Sequence, residues 1–129
     1  MDVLIVDDED ALLRSLERAT RLLGHSVRTA SGGEQACARA AERCPELAIV
    51  DLIMPGIDGI ETIARLHRLC PGCRFVILTG TPQEAAGRTE IAVRPKPLGL
   101  AELRDLLGSS APPPHADRAP AGRLSPQAP

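Results

Sequence analysis

The stretch Val3-Leu4-Ile5-Val6-Asp7-Asp8-Glu9-Asp10 sets four apolar residues directly against four acids. An apolar run this short, ended by charge, reads as a strand buried on both faces. The pattern then changes period. Leu12, Leu16, Ala19 and Leu23 recur at helical spacing across residues 11–23, and Gly24 stops the run. The chain thus opens with a strand, an acidic turn and a helix, and the alternation repeats downstream. Residues 26–30 read as a short strand and 33–43 as an alanine-rich helix. Leu47-Ala48-Ile49-Val50 is a third strand, followed by a helix over 58–69 with Asp58 as its N-cap. Phe75-Val76-Ile77-Leu78 makes a fourth strand. Residues 84–88 leave room for a turn or two of helix before a fifth strand at Ile91-Ala92-Val93. Residues 100–107 close the pattern, with Leu103, Leu106 and Leu107 on one face.

Five strand-helix alternations within residues 1–108 specify an α/β fold, a parallel sheet with helices on both faces. Right-handed crossovers leave few topologies. The expected one is the flavodoxin-like, doubly wound five-stranded order 2-1-3-4-5 with a short fourth helix. After residue 108 the composition breaks. Residues 109–129 carry six prolines, five alanines and one leucine, too little apolar surface to offset the entropy of ordering. One folded domain over 1–108 and a disordered Pro/Ala-rich tail over 109–129 are expected.

Composition excludes several classes of function. The 129 residues include one Phe and no Tyr or Trp, so the aromatic platforms on which single-stranded nucleic acids stack are missing. A net charge of −2 argues against a phosphate-backbone binder. No apolar run exceeds four residues, which leaves no membrane-spanning helix. Acids crowd residues 2–10, where a secretory signal would carry basic side chains. The expectation is a cytoplasmic protein with neither nucleic acid nor membrane as partner.

In an open parallel sheet, ligands bind beyond the carboxyl ends of the strands, at the topological switch point. Asp7 and Asp8 follow the first apolar run, Asp51 the third and Thr79 the fourth. Lys96 lies just past the fifth and is the one lysine among 15 basic residues. Three carboxylates, a hydroxyl and an ammonium therefore converge on one end of the sheet. Carboxylates packed this closely repel one another unless a cation joins them, and oxygen ligands with a partly open shell suit Mg²⁺. The ammonium and the hydroxyl can hold phosphoryl oxygens, and one carboxylate can act as a nucleophile to form an acyl phosphate. Asp51 is the candidate nucleophile, because it stands by itself at its strand end between the Asp7-Asp8 pair and Thr79.

Four motifs together resemble a response-regulator receiver domain of two-component signalling. They are Val3-Leu4-Ile5-Val6 with Asp7-Asp8-Glu9, Asp51-Leu52-Ile53-Met54-Pro55-Gly56-Ile57-Asp58-Gly59, Leu78-Thr79-Gly80, and Lys96-Pro97, and the likeness spans residues 2–107. The resemblance implies that Asp51 accepts a phosphoryl group from a sensor histidine kinase or a histidine phosphotransfer protein. It implies Mg²⁺ bound by Asp8 directly, by Asp7 mainly through water, and by Asp51 and the Ile53 carbonyl. Thr79 would hydrogen-bond the phosphoryl group, Lys96 would pair with it, and the Lys96-Pro97 bond would be cis. Phosphorylation would bias two packings of the face between the fourth and fifth strands and so switch contacts with a downstream protein target. On this reading the chain is a stand-alone receiver and a phosphoacceptor, not a turnover enzyme.

The sequence also departs from that pattern. Val93 stands where receivers often carry a Tyr or Phe that turns inward on activation. Thr79 and Lys96 are 17 residues apart, a short interval for the family, and Pro95 calls for an edge strand. Two rival readings follow: a degenerate receiver that docks a partner constitutively, and a metal-dependent phosphatase of small phosphate esters. Against the second, Asp51-Leu52-Ile53 lacks the second Asp of haloacid-dehalogenase-type enzymes. Cys37 and Arg43 match the spacing of cysteine phosphatases, but they fall in a helix with no glycine between them, so that reading is rejected. Cys37, Cys44, Cys70 and Cys73 are expected as thiols rather than as a disulfide framework; the CxxC spacing of the last two, with Cys44 before the third strand and near them, leaves a redox or zinc role as the alternative. His25, His67 and His115 lack paired ligands and read as surface residues.

Overall fold

The computed structural model describes residues 1–85 and 87–108; the expected tail over 109–129 lies outside them. Five strands alternate with helices: β1 (Asp2–Val6), β2 (Ser26–Ala30), β3 (Leu47–Asp51), β4 (Arg74–Thr79) and β5 (Ala92–Pro95). The described α-helices are α1 (Asp10–Leu22), α2 (Gly33–Glu42), α3 (Gly59–Leu69) and α4 (Leu100–Gly108). All pairings are parallel and the order is β2-β1-β3-β4-β5. This is the expected doubly wound sheet, with β1 and β3 adjacent at the switch point.

The three central strands feed both layers, which is why each reads as a continuous apolar run. Leu4, Val6, Ala48, Val50, Phe75 and Ile77 pack with Ala36 and Ala40 of α2 and Ile63 and Leu66 of α3. Val3, Ile5, Leu47, Ile49, Val76 and Leu78 pack with Leu13 and Leu16 of α1 and Leu103, Leu106 and Leu107 of α4. The buried stripe of α1 is Leu13, Leu16 and Thr20, while Leu12, Ala19 and Leu23 are only partly covered. The true stripe is thus turned by one position from the expected one. Thr20 can sit inside because its hydroxyl donates to the Leu16 carbonyl at 2.7 Å.

The connection between β4 and β5 departs from expectation. Among the described residues, the place of the helix predicted over 84–88 is taken by a 3-10 turn at Pro82–Glu84. Pro82 opens it, and Gly87, in the left-handed region at φ +78°, stops a helix from running on to 88. β5 lies at the sheet edge, which accommodates Pro95, and the Lys96-Pro97 bond is cis.

The cysteines are not all thiols. Cys44, in the loop before β3, is disulfide-bonded to Cys70, the C-cap of α3, with their Cα atoms 5.6 Å apart. Cys37 and Cys73 remain free. Parallel pairing of Leu47 with Arg74 sets the loops entering β3 and β4 side by side. The order of the strands already placed Cys44 near the CxxC pair; which of the two it bonds is set by tertiary register, and the spacing of the cysteines did not reveal it. The histidines are corrected too: His25 and His67 are half-buried. The His67 ring stands edge-on to Phe75 with centroids 6.3 Å apart, and His115 lies outside the described residues. No described helix is long and apolar enough to cross a membrane.

Candidate functional site

Each strand of the switch region delivers a polar side chain where its apolar run ends. β1 hands over to Asp7, whose backbone N–H still bonds the Ala30 carbonyl at 3.1 Å and whose buried carboxylate accepts from the Glu9 N–H at 2.9 Å. Asp8 follows and is exposed. Asp51 is the last residue of β3 and Thr79 the last of β4, and both are buried. Lys96 comes just after β5, and its N–H donates to the Thr79 carbonyl at 2.8 Å, which ties the two strand ends together.

Carboxylate oxygens of Asp7, Asp8 and Asp51 lie within 4.8 Å of one another. The Lys96 ammonium is 2.8 Å from Asp7 Oδ2 and 3.5 Å from Asp51 Oδ2. Burial, then the Asp7 charge, push the Asp51 carboxyl above its ordinary pKa; Lys96 and the Ile53 backbone N–H oppose them in part. Burial by itself would lower the Lys96 pKa, but the two carboxylates outweigh it and the ammonium holds its proton more tightly than usual. Three carboxylates against one ammonium leave the pocket negative. Such an all-oxygen set has the chemistry that holds a hard divalent cation.

The loop after Asp51 is shaped by two glycines. Gly56 turns at φ +82°. Gly59 opens α3 so close to β3 that a Cβ there would run into the Asp51 carbonyl oxygen and come 2.8 Å from the Leu52 Cα. The Gly59 N–H donates to the Leu52 carbonyl at 2.7 Å, closing the loop on itself. Asp58 caps α3 as expected: one carboxylate oxygen accepts from the Glu61 N–H at 2.9 Å, the other from Arg88 at 3.1 Å. The Thr79 hydroxyl accepts from the Thr81 N–H at 3.0 Å, a local turn that fixes its position.

Asp7, Asp8, Asp51 and Lys96 therefore come together as the sequence suggested, Thr79 sits at the adjoining strand end, and Ile53 reaches Asp51 through its backbone. Thr81 and Arg88 were missed, and Gly59 stood in the quoted motif without a role. Gly59 had a signal in hindsight, a glycine just inside a capped helix; Thr81 had the Thr-x-Thr turn. Arg88 had none, since its pairing with Asp58 spans 30 residues.

The family model for the response regulator receiver domain matches residues 3–94, and the chain belongs to that family. It is a receiver domain of the two-component response-regulator type. Among curated relatives, the DNA-binding transcriptional regulator NtrC of Azospirillum brasilense is 31% identical over 98% of this chain and 28% of its own length. The transcriptional regulatory protein PrrA of Mycobacterium tuberculosis is 36% identical over 78% of this chain and 46% of its own. The chain thus spans less than half the length of these relatives. Among solved structures, the receiver domain of the hybrid histidine kinase CckA superposes with a TM-score of 0.73 at 29% identity, covering 83% of this chain and 95% of that one. A response regulator from Burkholderia pseudomallei, with a phosphorylated aspartic acid, a calcium ion and citrate, gives a TM-score of 0.73 at 26% identity, over 84% of this chain and 66% of that one.

Proposed function

We propose that residues 1–108 form a phosphoacceptor switch in which Asp51 takes a phosphoryl group, with Mg²⁺, from a phosphohistidine of a sensor histidine kinase or histidine phosphotransfer protein. The observation that carries this reading is the convergence of Asp7, Asp8 and Asp51 within 4.8 Å, with the Lys96 ammonium reaching two of them. The phosphorylated aspartate and calcium ion of the Burkholderia relative support it.

An ionised Asp51 oxygen attacks phosphorus, the phosphorus–nitrogen bond to the donor imidazole breaks, and its electron pair returns to the imidazole. Lys96, close to Asp51, pairs with the phosphoryl oxygens as charge gathers on them. The Thr79 hydroxyl turns from its place beside Thr81 to donate to one of them, which pulls on the segment between β4 and β5. Asp8, Asp51 and the Ile53 carbonyl would hold Mg²⁺, with Asp7 acting mainly through water. When bound, the ion neutralises phosphoryl charge that three carboxylates would otherwise repel.

The output is a change of contacts with a downstream protein, made through the β4–β5 face, and the chain acts in the cytoplasm. With Val93 half-buried against the core where an aromatic would otherwise turn, the signal runs through Thr79 and Thr81. A constitutive docking module is the second reading, favoured by a β4–β5 connection whose helical content, among the described residues, is a 3-10 turn.

The two readings separate under one treatment. The protein is incubated with acetyl phosphate and Mg²⁺ and then reduced with borohydride, which converts an aspartyl phosphate to homoserine. Peptide mass mapping is expected to place the change at Asp51. An unchanged peptide 51–58, or a change at another carboxylate, contradicts the phosphoacceptor reading.

A further inference from the structure

We propose that Cys44 and Cys70 are a reversible redox modification site, closed by low-molecular-weight disulfides and opened by small thiols, that clamps the β3–α3 segment. The pair meets the geometric requirement: the Cα atoms are 5.6 Å apart, inside the range a disulfide spans. Its place in the chain gives it consequence. The covalent ring from residue 44 to residue 70 encloses all of β3, Asp51, the loop that carries Gly56, and α3. At the acidic end, that segment is pinned by the Gly59 N–H on the Leu52 carbonyl. At the opposite end, the disulfide pins it covalently.

Exposure sets the direction of the chemistry. Cys44 is open to solvent, whereas Cys70 is 2% exposed, so a small reagent meets Cys44. In oxidation, the Cys44 thiolate attacks one sulfur of a small disulfide such as oxidised glutathione. The reagent's sulfur–sulfur bond breaks, and one small thiolate leaves with the electron pair. The Cys70 thiolate then attacks the Cys44 sulfur of the mixed disulfide. That bond breaks, and a second small thiolate leaves. The protein has lost two electrons and the reagent has become two thiols, which take up the two protons the cysteines released. Reduction is the same sequence reversed.

The other two cysteines do not compete. Cys73 shares the CxxC spacing with Cys70 but is free, its thiol donating to the Arg74 carbonyl at 3.2 Å, while Cys70 is the partner of Cys44. Cys37, on α2, is likewise free.

The test uses the full chain and three readings that do not depend on phosphorylation. After equilibration with oxidised glutathione, thiol titration in denaturant should find two of the four cysteines free, and four after dithiothreitol. Peptide mapping of the oxidised form should recover a Cys44–Cys70 cross-link. Reduction should lower the Tm by roughly 10 °C, since the bridge removes loop entropy from the unfolded chain. Cys44→Ser, a change at an exposed position, should show the lower Tm under both conditions, and Cys73→Ser should keep the redox response. Four free thiols under excess oxidised glutathione, a Cys70–Cys73 cross-link, a Tm indifferent to redox state, or a bridge that reduced glutathione fails to open in the folded protein would each overturn the proposal.

Discussion

The ammonium of Lys96 is anchored on Asp7, 2.8 Å from its Oδ2, and reaches Asp51 at 3.5 Å as its second partner. Asp7 is 2% exposed, so this ion pair is what keeps a buried carboxylate compensated. Lys96→Met strips that compensation. It should cost about 2 kcal/mol in a denaturant melt, less than a fully buried pair because the lysine keeps some contact with water. The same variant should lose phosphoryl labelling.

Asp51 carries a pH signature. Its carboxyl is raised by burial and by Asp7, so the folded state binds that proton more tightly than the unfolded chain does. The stabilising contribution is full below the ordinary carboxylate pKa and is lost as pH rises through the folded value. Ionised Asp51 is therefore a cost at neutral pH. Asp51→Asn should raise the Tm at pH 7, and the gain should shrink as pH falls toward the ordinary carboxylate range. A gain that grows on acidification contradicts this.

Gly59 and Gly56 separate two kinds of glycine requirement. At Gly59 an added Cβ meets the Asp51 carbonyl, which is backbone and cannot step aside. Gly59→Ala should cost roughly 3 kcal/mol by overpacking and should slow phosphoryl acceptance by displacing Asp51. At Gly56 the space is open but φ is +82°, so Gly56→Ala should cost about 1 kcal/mol through backbone strain. Equal destabilisation by the two changes counts against this account.

Thr79 is buried, with its hydroxyl accepting the Thr81 N–H. Thr79→Val leaves that N–H unpaired and should cost about 1–2 kcal/mol, with slower labelling of Asp51. Thr79→Ser keeps the oxygen and should retain most of both.

Mg²⁺ should stabilise the protein by mass action, about 1.4 kcal/mol at ten times its dissociation constant. A chelator should reverse the effect. Asp8 is exposed, so Asp8→Ala should leave the metal-free Tm unchanged while removing the response to Mg²⁺. Thermal melts with and without the ion check both halves.

The sheet and much of the site were legible because they share one cause. A strand buried on both faces is an unbroken apolar run, and Asp7, Asp51 and Thr79 are the first polar residues after three such runs. Reading where burial ends therefore found the residues at the switch point. What stayed hidden depends on the register between elements far apart in sequence. The Cys44–Cys70 bridge exists because β3 and β4 pair in parallel, the approach of Gly59 to Asp51 because α3 leaves β3 so tightly, and the Arg88–Asp58 pair because the β4–β5 connection folds back. The 84–88 segment misled for a local reason, because Gly87 stands in the left-handed region and ends any helix there.

The central claim is that Asp51 accepts a phosphoryl group, and the mass of the intact protein after incubation with acetyl phosphate and Mg²⁺ tests it most directly. The account predicts the addition of one phosphoryl group, absent without Mg²⁺ and absent in Asp51→Asn. No adduct on the unaltered chain, or an adduct that survives in Asp51→Asn, would contradict it.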